Sequence, residues 1–243
     1  KGMKDKNGQP VAALYGPSTV VYDLGDGLAV EINEKTNYPF EEQIVFEFEF
    51  YKNGVKSEES HKMDFTYRIP QWCSSSEAKG FQTVSKEWKS GDTFTVSLPM
   101  QVELAPNPVE GLCVQYGPVV YSYAIPSVWE EDTQVYDYLA GKVSGNPDFK
   151  CWNITPDGKW NYALVEDMLE GIKAEYTGAE GFPFDPETVP VKISVPVVGV
   201  EGWTLDEGRY TPALPKNVVP ESDQVQYIDL VPYGSTTLRL TTF

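Results

Sequence analysis

The chain has 243 residues with 36 acidic and 19 basic side chains, so its formal net charge is -17. A chain this acidic repels phosphate backbones, which argues against a nucleic-acid partner. No apolar run approaches the roughly 20 residues that cross a bilayer, so we expect no membrane span. The hydrophobic content of 41% is nevertheless high enough for a sizeable buried core.

Alternation of apolar and polar residues recurs along the chain and is typical of half-buried strands. It is clearest at residues 44–50, where phenylalanines alternate with glutamates. The same pattern predicts strands at 93–98, 191–195 and 237–241. Short strands of this kind predict an all-β fold, either a β-sandwich or a barrel.

Turn-forming residues separate these strands. Residues 23–27, 52–54 and 90–92 combine Gly with Asp, Asn or Ser, which is the chemistry of tight connections. One segment is ambiguous, because 162–170 has the apolar spacing of a helix. Gly171 would end that helix within about two turns, so we predict a strand over 160–165 instead.

A change in composition divides the chain. Up to about residue 126 the predicted strands are dense and regularly spaced, whereas the following segment, to about 223, is richer in Pro, Gly and acidic residues. Residues 178–190 and 210–222 are predicted to be long irregular loops. From residue 225 the alternating pattern returns.

Six strings of residues carry a family resemblance. They occur in this order: TNYPFEEQIVFEF (36–48), YRIPQWC (67–73), KEWKSGDTFTVSLPM (86–100), VQYGPVVYSY (114–123), WNYAL (160–164) and IDLVPYGSTTLRLTTF (228–243). Together they resemble the C-terminal β region of glycoside hydrolase family 127, the β-L-arabinofuranosidase-like enzymes. The resemblance covers nearly the whole chain, from about residue 13 to residue 243.

The resemblance implies where the chemistry of the parent protein lies. Members of the family have an N-terminal (α/α)-barrel, in which a cysteine nucleophile sits at a zinc site with further Cys and Glu ligands. None of the barrel motifs occurs in this chain, so we expect it to follow the barrel. We therefore assign no catalytic, cofactor-binding or metal-binding residue to it, and we place the zinc in the upstream barrel. The expected partner is that barrel, with the fragment itself inactive. Location is left open, with export of the parent favoured.

The resemblance also implies an arrangement of domains. We expect two jelly-roll-like β-sandwich units, the second inserted before the last strand of the first. The first sandwich would comprise residues 1–126 and 224–243, and the second residues 127–223. The change in composition agrees with this division.

Candidate catalytic residues each have a simpler interpretation. His61 is the one histidine, and we expect it to be solvated at a loop or strand end, since a catalytic imidazole needs a partner in space. Glu47 and Glu49 loosely meet the separation of about 5–10 Å between glycosidase carboxylates, but the solvent face of a strand explains them better. Residues 23–27 could offer oxygens to calcium, yet they lack the rest of an EF-hand loop, so an ordinary turn is favoured.

The three cysteines, Cys73, Cys113 and Cys151, are widely spaced. Zinc sites usually draw ligands from close pairs, and no such pair exists here. We favour free buried thiols over one disulfide with a thiol left over.

Six tryptophans suggest an alternative function. Trp72 and Trp88 are expected to pack between sheets. Trp129, Trp152 and Trp203 are candidate sugar contacts, because exposed indole rings can stack on sugar C–H faces. Core packing is the favoured interpretation even for these three. The alternative to a non-catalytic hydrolase region is therefore a carbohydrate-binding module with its own aromatic site, for which a plant-type oligosaccharide is the candidate ligand. A purely structural or adhesive sandwich is a third interpretation.

Overall fold

The computed structural model describes residues 2–132, 150–208 and 210–243. Contacts divide the chain into two compact units, Lys1–Gln101 and Val102–Phe243. The sequence placed its boundaries elsewhere, at 126 and 224, and part of the predicted second sandwich, 133–149, lies outside the described residues.

The first unit consists of two sheets. Strands β1, β2, β7 and β8 form a four-stranded sheet, and strands β3 to β6 with β9 form a five-stranded sheet. Neighbouring strands are antiparallel except for β2 and β7, which are parallel. The strands are Gly2–Lys4 (β1), Pro10–Ala12 (β2), Ser18–Gly25 (β3), Leu28–Thr36 (β4), Gln43–Lys52 (β5), Val55–Lys56 (β6), His61–Ile69 (β7), Gly80–Trp88 (β8) and Asp92–Ser97 (β9).

Aromatic rings fill the space between these two sheets. Phe46, Phe48 and Phe50 alternate along β5 and are almost completely buried. Across the core, Phe46 meets Phe65 of β7 at 4.9 Å between ring centroids, and Phe48 meets Trp88 of β8 at 4.3 Å. The period-two pattern therefore places one face of β5 in the core of a sandwich, as predicted.

The predicted turns of the first unit are confirmed. Asn53 and Gly54 both have positive φ, 50° and 79°, in the tight connection between β5 and β6. Residues 23–27 turn the chain between β3 and β4, and the Asp23 side chain accepts a hydrogen bond of 2.9 Å from the Gly25 N–H. That contact stabilises an ordinary turn.

In its described residues, the second unit has one eight-stranded sheet and one two-stranded ribbon. The sheet has the order β10-β11-β12-β18-β17-β15, with β16 paired to β17 and β19 to β12, and strands β13 and β14 form the ribbon. The strands are Val102–Pro106 (β10), Leu112–Tyr116 (β11), Val119–Ala124 (β12), Ser127–Asp132 (β13), Cys151–Pro156 (β14), Tyr162–Leu164 (β15), Ala174–Tyr176 (β16), Val191–Gly199 (β17), Gln226–Pro232 (β18) and Arg239–Leu240 (β19).

The C-terminal strands join the sheet differently from the expected pattern. The strand predicted at 237–241 is only the two residues of β19, and the longer strand is β18. Strand β18 lies between β12 and β17, so its neighbours come from segments that the sequence assigned to both sandwiches.

The all-β prediction is confirmed. Apart from the strands, regular structure in the described residues is limited to two short 3-10 turns, Glu166–Met168 and Tyr233–Ser235. The strand predicted at 160–165 is confirmed as the shorter strand β15, and the first of these turns follows it. Within the described part of the chain, no helix has the length and apolar character needed to cross a membrane.

Candidate functional site

An open groove of about 540 Å³ lies in the second unit. Two indole rings line it, those of Trp160 and Trp203, with centroids 5.1 Å apart and ring planes at 65°. The volume falls in the range of small-molecule sites, which are mostly apolar with a few polar groups. The groove is therefore the candidate site, and its geometry depends on how each tryptophan is held.

Trp160 lies in the connection between β14 and β15. The next residue, Asn161, fixes this connection to the end of β17, because the Val200 N–H donates to the Asn161 carbonyl at 2.8 Å. The Asn161 side-chain amide returns a hydrogen bond of 2.6 Å to the Val200 carbonyl. This reciprocal pair holds the backbone beside Trp160 in place.

Trp203 lies just beyond β17, at the start of a long connection. Its indole N–H donates to the Ala213 carbonyl at 3.0 Å, which orients the ring. The Glu201 N–H bonds the Val219 carbonyl at 2.8 Å, so the two ends of the connection are tied together. The irregular loop predicted at 210–222 therefore has a defined path around this tryptophan.

An ion pair between Lys159 and Glu221 joins the segments that carry the two tryptophans. The Asn161 amide also donates to the Glu221 carboxylate, at 3.0 Å. The hydrogen bonds from Lys159 and then from Asn161 lower the pKa of Glu221. Gly199 leaves room for this pair, since a Cβ there would collide with both charged groups. We call these three residues, Lys159, Asn161 and Glu221, the clamp.

The C-terminal segment forms another part of the groove lining. Phe243 exchanges two backbone hydrogen bonds of 3.0 Å with Leu112, and the Ile125 N–H donates to the Leu238 carbonyl at 3.0 Å. Gly111 packs closely here, with φ of +77°, against Thr242. The last residues of the chain are therefore fixed against the sheet.

Most polar groups that line the groove are already bonded to the protein. Arg239 donates to the Tyr233 and Thr237 carbonyls at 3.2 and 3.3 Å, and its guanidinium lies 4.0 Å from the Tyr233 ring. The Asn107 amide donates to the Thr242 hydroxyl at 3.0 Å. By contrast, the indole N–H of Trp160 has no hydrogen-bond partner among the described residues, so it is a donor available to a ligand.

The other two predicted sugar contacts, Trp129 and Trp152, meet on the β13–β14 ribbon. Their centroids are 6.0 Å apart at 69°, and they are 48% and 44% exposed. Lys150 lies 5.8 Å from the Trp152 ring and forms an ion pair of 2.7 Å with Glu131. We call this exposed pair of indoles the ribbon aromatics. Only Trp203 of the three predicted residues lines the groove.

The register of the ribbon connects the ribbon aromatics to the groove. Trp129 is directly opposite Ile154, and Glu131 is opposite Trp152. Side chains alternate along a strand, so residues 152, 154 and 156 of β14 share one face with Trp129. Ile154 and Pro156 line the groove, so the face that carries the ribbon aromatics leads into it.

The predicted catalytic alternatives have structural roles in the first unit. Glu47 forms an ion pair with Lys35 at 2.7 Å, and Glu49 forms one with Lys56 at 2.6 Å. These pairs confirm that both glutamates lie on the polar face of β5. His61 is the first residue of β7 and so lies at a strand end, one of the two predicted positions. It contacts the Ser57 hydroxyl at 2.9 Å and lies 5.1 Å from the Phe50 ring.

The three cysteines, and the two tryptophans of the first unit, lie outside the groove. All three cysteines are free; Cys73 and Cys113 are buried as predicted, but Cys151 is exposed because it begins a strand of the two-stranded ribbon. Trp88 is fully buried, and the half-buried Trp72 stacks on Tyr38 at 6.4 Å. The described residues hold no group of three or more His, Cys, Asp or Glu side chains that could bind a metal ion.

Part of the chain matches the model of a known protein family. Residues 11–100, which lie in the first unit, match the family model of the β-L-arabinofuranosidase GH127 middle domain. Residues 11–100 are therefore similar to a GH127 middle domain. The order of motif strings in the sequence had predicted this relationship, and the family match confirms it. A comparison with curated proteins found no match.

Solved structures extend the similarity of fold beyond residues 11–100. A GH127 β-L-arabinofuranosidase from Geobacillus stearothermophilus T6 is 20% identical with a TM-score of 0.56, and the match covers 96% of this chain and 32% of that one. A structure described as a glycoside hydrolase is 17% identical with a TM-score of 0.57, covering 94% and 34%. A GH127 β-arabinofuranosidase is 15% identical with a TM-score of 0.54, covering 95% and 33%. The chain thus spans about one third of the length of these structures.

Sequence reasoning missed Trp160 as a groove residue. It assigned Trp160 to the start of a strand, whereas the strand begins at Tyr162. The Asp157-Gly158 pair just before it is a turn signal that could have placed Trp160 in a connection. Arg239 and Asn107 were also missed, and nothing in their local sequence indicates a shared groove, because they are brought together by the sheet.

Proposed function

We propose that this chain is a non-catalytic β-sandwich region of a glycoside hydrolase that resembles β-L-arabinofuranosidases. In this proposal it packs against an upstream (α/α)-barrel and stabilises it, and the zinc chemistry belongs to that barrel. One observation carries the proposal: residues 11–100 match the GH127 middle-domain model, in a chain that spans about one third of the length of the solved structures it resembles.

The construction of the first unit supports a scaffolding role. Its core is a closely packed set of aromatic rings between two sheets, and such cores resist deformation. The carboxylates that could have served as a glycosidase pair, Glu47 and Glu49, are each engaged by a lysine. A rigid wall of this kind can hold a neighbouring domain in a fixed geometry.

An activity assay tests the proposal. Hydrolysis of a β-L-arabinofuranoside would be measured for this chain alone and for a longer parent polypeptide that includes the segment before Lys1. We expect turnover by the parent and none by the chain. Turnover by the isolated chain would show that it carries its own catalytic site and would rule the proposal out.

A second candidate function is sugar binding by the second unit. The groove with two indole rings favours it, together with the ribbon aromatics on the adjoining face. Isothermal titration calorimetry with a plant-type oligosaccharide tests it on the chain as it stands. The absence of binding at millimolar sugar would count against this function and would leave the scaffolding role intact.

A further inference from the structure

We propose that the groove holds the terminal ring of a neutral oligosaccharide, and that the following sugar residues lie on the ribbon aromatics. This inference rests on the second candidate function, sugar binding, and names its ligand class and the residues that would contact the ligand. It is independent of whether the parent protein is a hydrolase. Four features of the second unit lead to it.

The first feature is the shape of the aromatic lining. A sugar ring has apolar C–H faces and a polar hydroxyl edge, so it fits a site that offers a flat ring and a nearby donor. Trp160 and Trp203 present two indole surfaces at 65° to each other. The indole N–H of Trp160 is the donor, since it has no partner in the described protein. Aromatic side chains with one polar atom suit a ligand that is apolar on one side and wet on the other.

The second feature is that the tryptophans are held in place before any ligand binds. The clamp joins the segments that carry them, and the hydrogen bond from Trp203 to Ala213 sets the orientation of its ring. A site that is already ordered loses less conformational entropy on binding. The clamp residues are therefore positioning residues, and they need not touch the sugar.

The third feature is the charge of the lining. Arg239 and Glu110 are the two charged residues that line the groove among the described residues. The Arg239 guanidinium already donates to two backbone carbonyls, and the chain carries a net charge of -17. A sugar carboxylate would meet a long-range repulsive field and an occupied guanidinium. The groove therefore suits a neutral sugar better than a uronic acid.

The fourth feature is the continuity between the groove and the ribbon. Ile154 lines the groove and is paired with Trp129, so the ribbon aromatics begin where the groove ends. Trp152 is diagonal to Trp129 on the same face and is 44% exposed. A single sugar ring would fill only the groove, whereas a longer chain would also cover this exposed surface.

Calorimetric titration of the 243-residue chain tests the inference with three probes: free L-arabinose, a neutral arabino-oligosaccharide of four residues and a galacturonate oligomer of the same length. We expect the neutral oligomer to bind more tightly than the monosaccharide, and the galacturonate oligomer to bind weakest. Trp160→Ala should weaken both neutral ligands by about tenfold or more, a change that corresponds to about 1.4 kcal/mol. Trp152→Ala should weaken only the oligomer. Tyr227→Ala, an exposed aromatic of β18, is the control and should change neither.

A milder variant keeps the inference testable if Trp160→Ala disturbs folding. Trp160→Phe retains an aromatic face but removes the N–H, so it should lose part of the affinity with an unchanged circular dichroism spectrum. Full affinity in both Trp160 variants would overturn the site, and so would tighter binding of the galacturonate oligomer. Loss of monosaccharide binding in Trp152→Ala would instead place the site on the ribbon. No heat of binding from any probe at about 10 mM would also overturn it, without bearing on the hydrolysis assay of the parent.

Discussion

Lys159 and Glu221 are 62 residues apart in sequence and form an ion pair beside the candidate groove. Lys159 directly precedes Trp160, and Glu221 lies near the end of the long connection from β17 to β18, which also contains Trp203. The pair therefore joins the two segments on which the geometry of the groove depends. As an exposed ion pair it contributes little to the free energy of unfolding. Its position nevertheless lets it hold the segments that carry Trp160 and Trp203 together.

The first prediction concerns acid pH and the clamp. The pKa of Glu221 is lowered by Lys159 and Asn161, so the carboxylate is stabilised in its charged form in the folded chain. A carboxylate whose pKa is lowered by folding stabilises the folded chain at any pH above its ordinary pKa. This stabilisation is lost as the pH falls through the lowered pKa of the folded state. Tryptophan fluorescence should therefore change as the pH falls below the ordinary value, about 4.5, and Glu221→Gln should show the altered spectrum already at pH 7.

The matched control for the clamp is Glu47→Gln. It removes one partner of another lysine–glutamate pair, the one with Lys35 in the first unit. Its tryptophan spectrum at pH 7 should match that of the unmodified chain. If the spectrum of Glu221→Gln at pH 7 also matched that of the unmodified chain, the clamp would have no positioning role.

The second prediction concerns Gly111. Its φ of +77° is unfavourable for any residue with a Cβ, and that Cβ would lie 2.6 Å from the Thr242 methyl and 2.8 Å from the Phe243 carbonyl. Gly111→Ala should therefore lower the free energy of unfolding by about 2–4 kcal/mol, the sum of a conformational and a steric cost. Urea denaturation measures it.

Gly171→Ala separates the two costs of that change. Gly171 has a similar φ of +80°, but a Cβ there meets nothing within 4 Å. It should lose only the conformational part, about 1–2 kcal/mol. Equal losses at the two positions would mean that the C-terminal residues do not pack on Gly111 as described.

The third prediction concerns Tyr121. This side chain is fully buried and its hydroxyl has no hydrogen-bond partner in the described structure. Removing an unsatisfied buried hydroxyl is neutral or stabilising, so Tyr121→Phe should leave the free energy of unfolding unchanged or raise it by about 1 kcal/mol. Thermal denaturation at neutral pH measures the change.

Alkaline pH sharpens this test. Burial raises the pKa of Tyr121, because the phenolate is disfavoured in the core. Because folding raises the pKa of Tyr121, its contribution to the free energy of unfolding is complete below the ordinary tyrosine pKa of about 10. Above that pH the contribution is lost by up to about 1.4 kcal/mol per pH unit. The stability advantage of Tyr121→Phe should therefore grow above pH 10. Tyr227→Phe, at an exposed position, is the comparison and should give no advantage.

The fourth prediction concerns the core of the first unit. Trp88 is fully buried against Phe48, and its indole N–H donates to the Met63 carbonyl at 3.0 Å. Trp88→Ala should cost about 3–5 kcal/mol, because it opens a large cavity. Phe81→Ala on the same strand, where the ring is 58% exposed, should change the stability by less than about 0.5 kcal/mol. A similar loss in both variants would contradict the assignment of Trp88 to the core.

The sequence predicts local structure better than it predicts the site. The alternation along residues 44–50 and the Asn53-Gly54 turn lie within short stretches, so pattern and turn chemistry suffice to place them. The groove, in contrast, depends on contacts such as Lys159 with Glu221 and Leu112 with Phe243, whose partners are far apart in sequence. Short sequence patterns do not predict contacts between residues that are far apart in the chain. Trp203 was a candidate because it lies in the part of the chain that is rich in Pro, Gly and acidic residues, whereas Trp160 was assigned to a predicted strand.

The proposed scaffolding role is tested most directly by the thermal stability of the parent enzyme. The melting temperature and the arabinofuranoside hydrolysis rate would be measured for the parent chain with and without the segment described here. We predict that the truncated barrel melts at a lower temperature and loses activity on mild heating. An equal melting temperature and an equal rate in the two proteins would contradict the account.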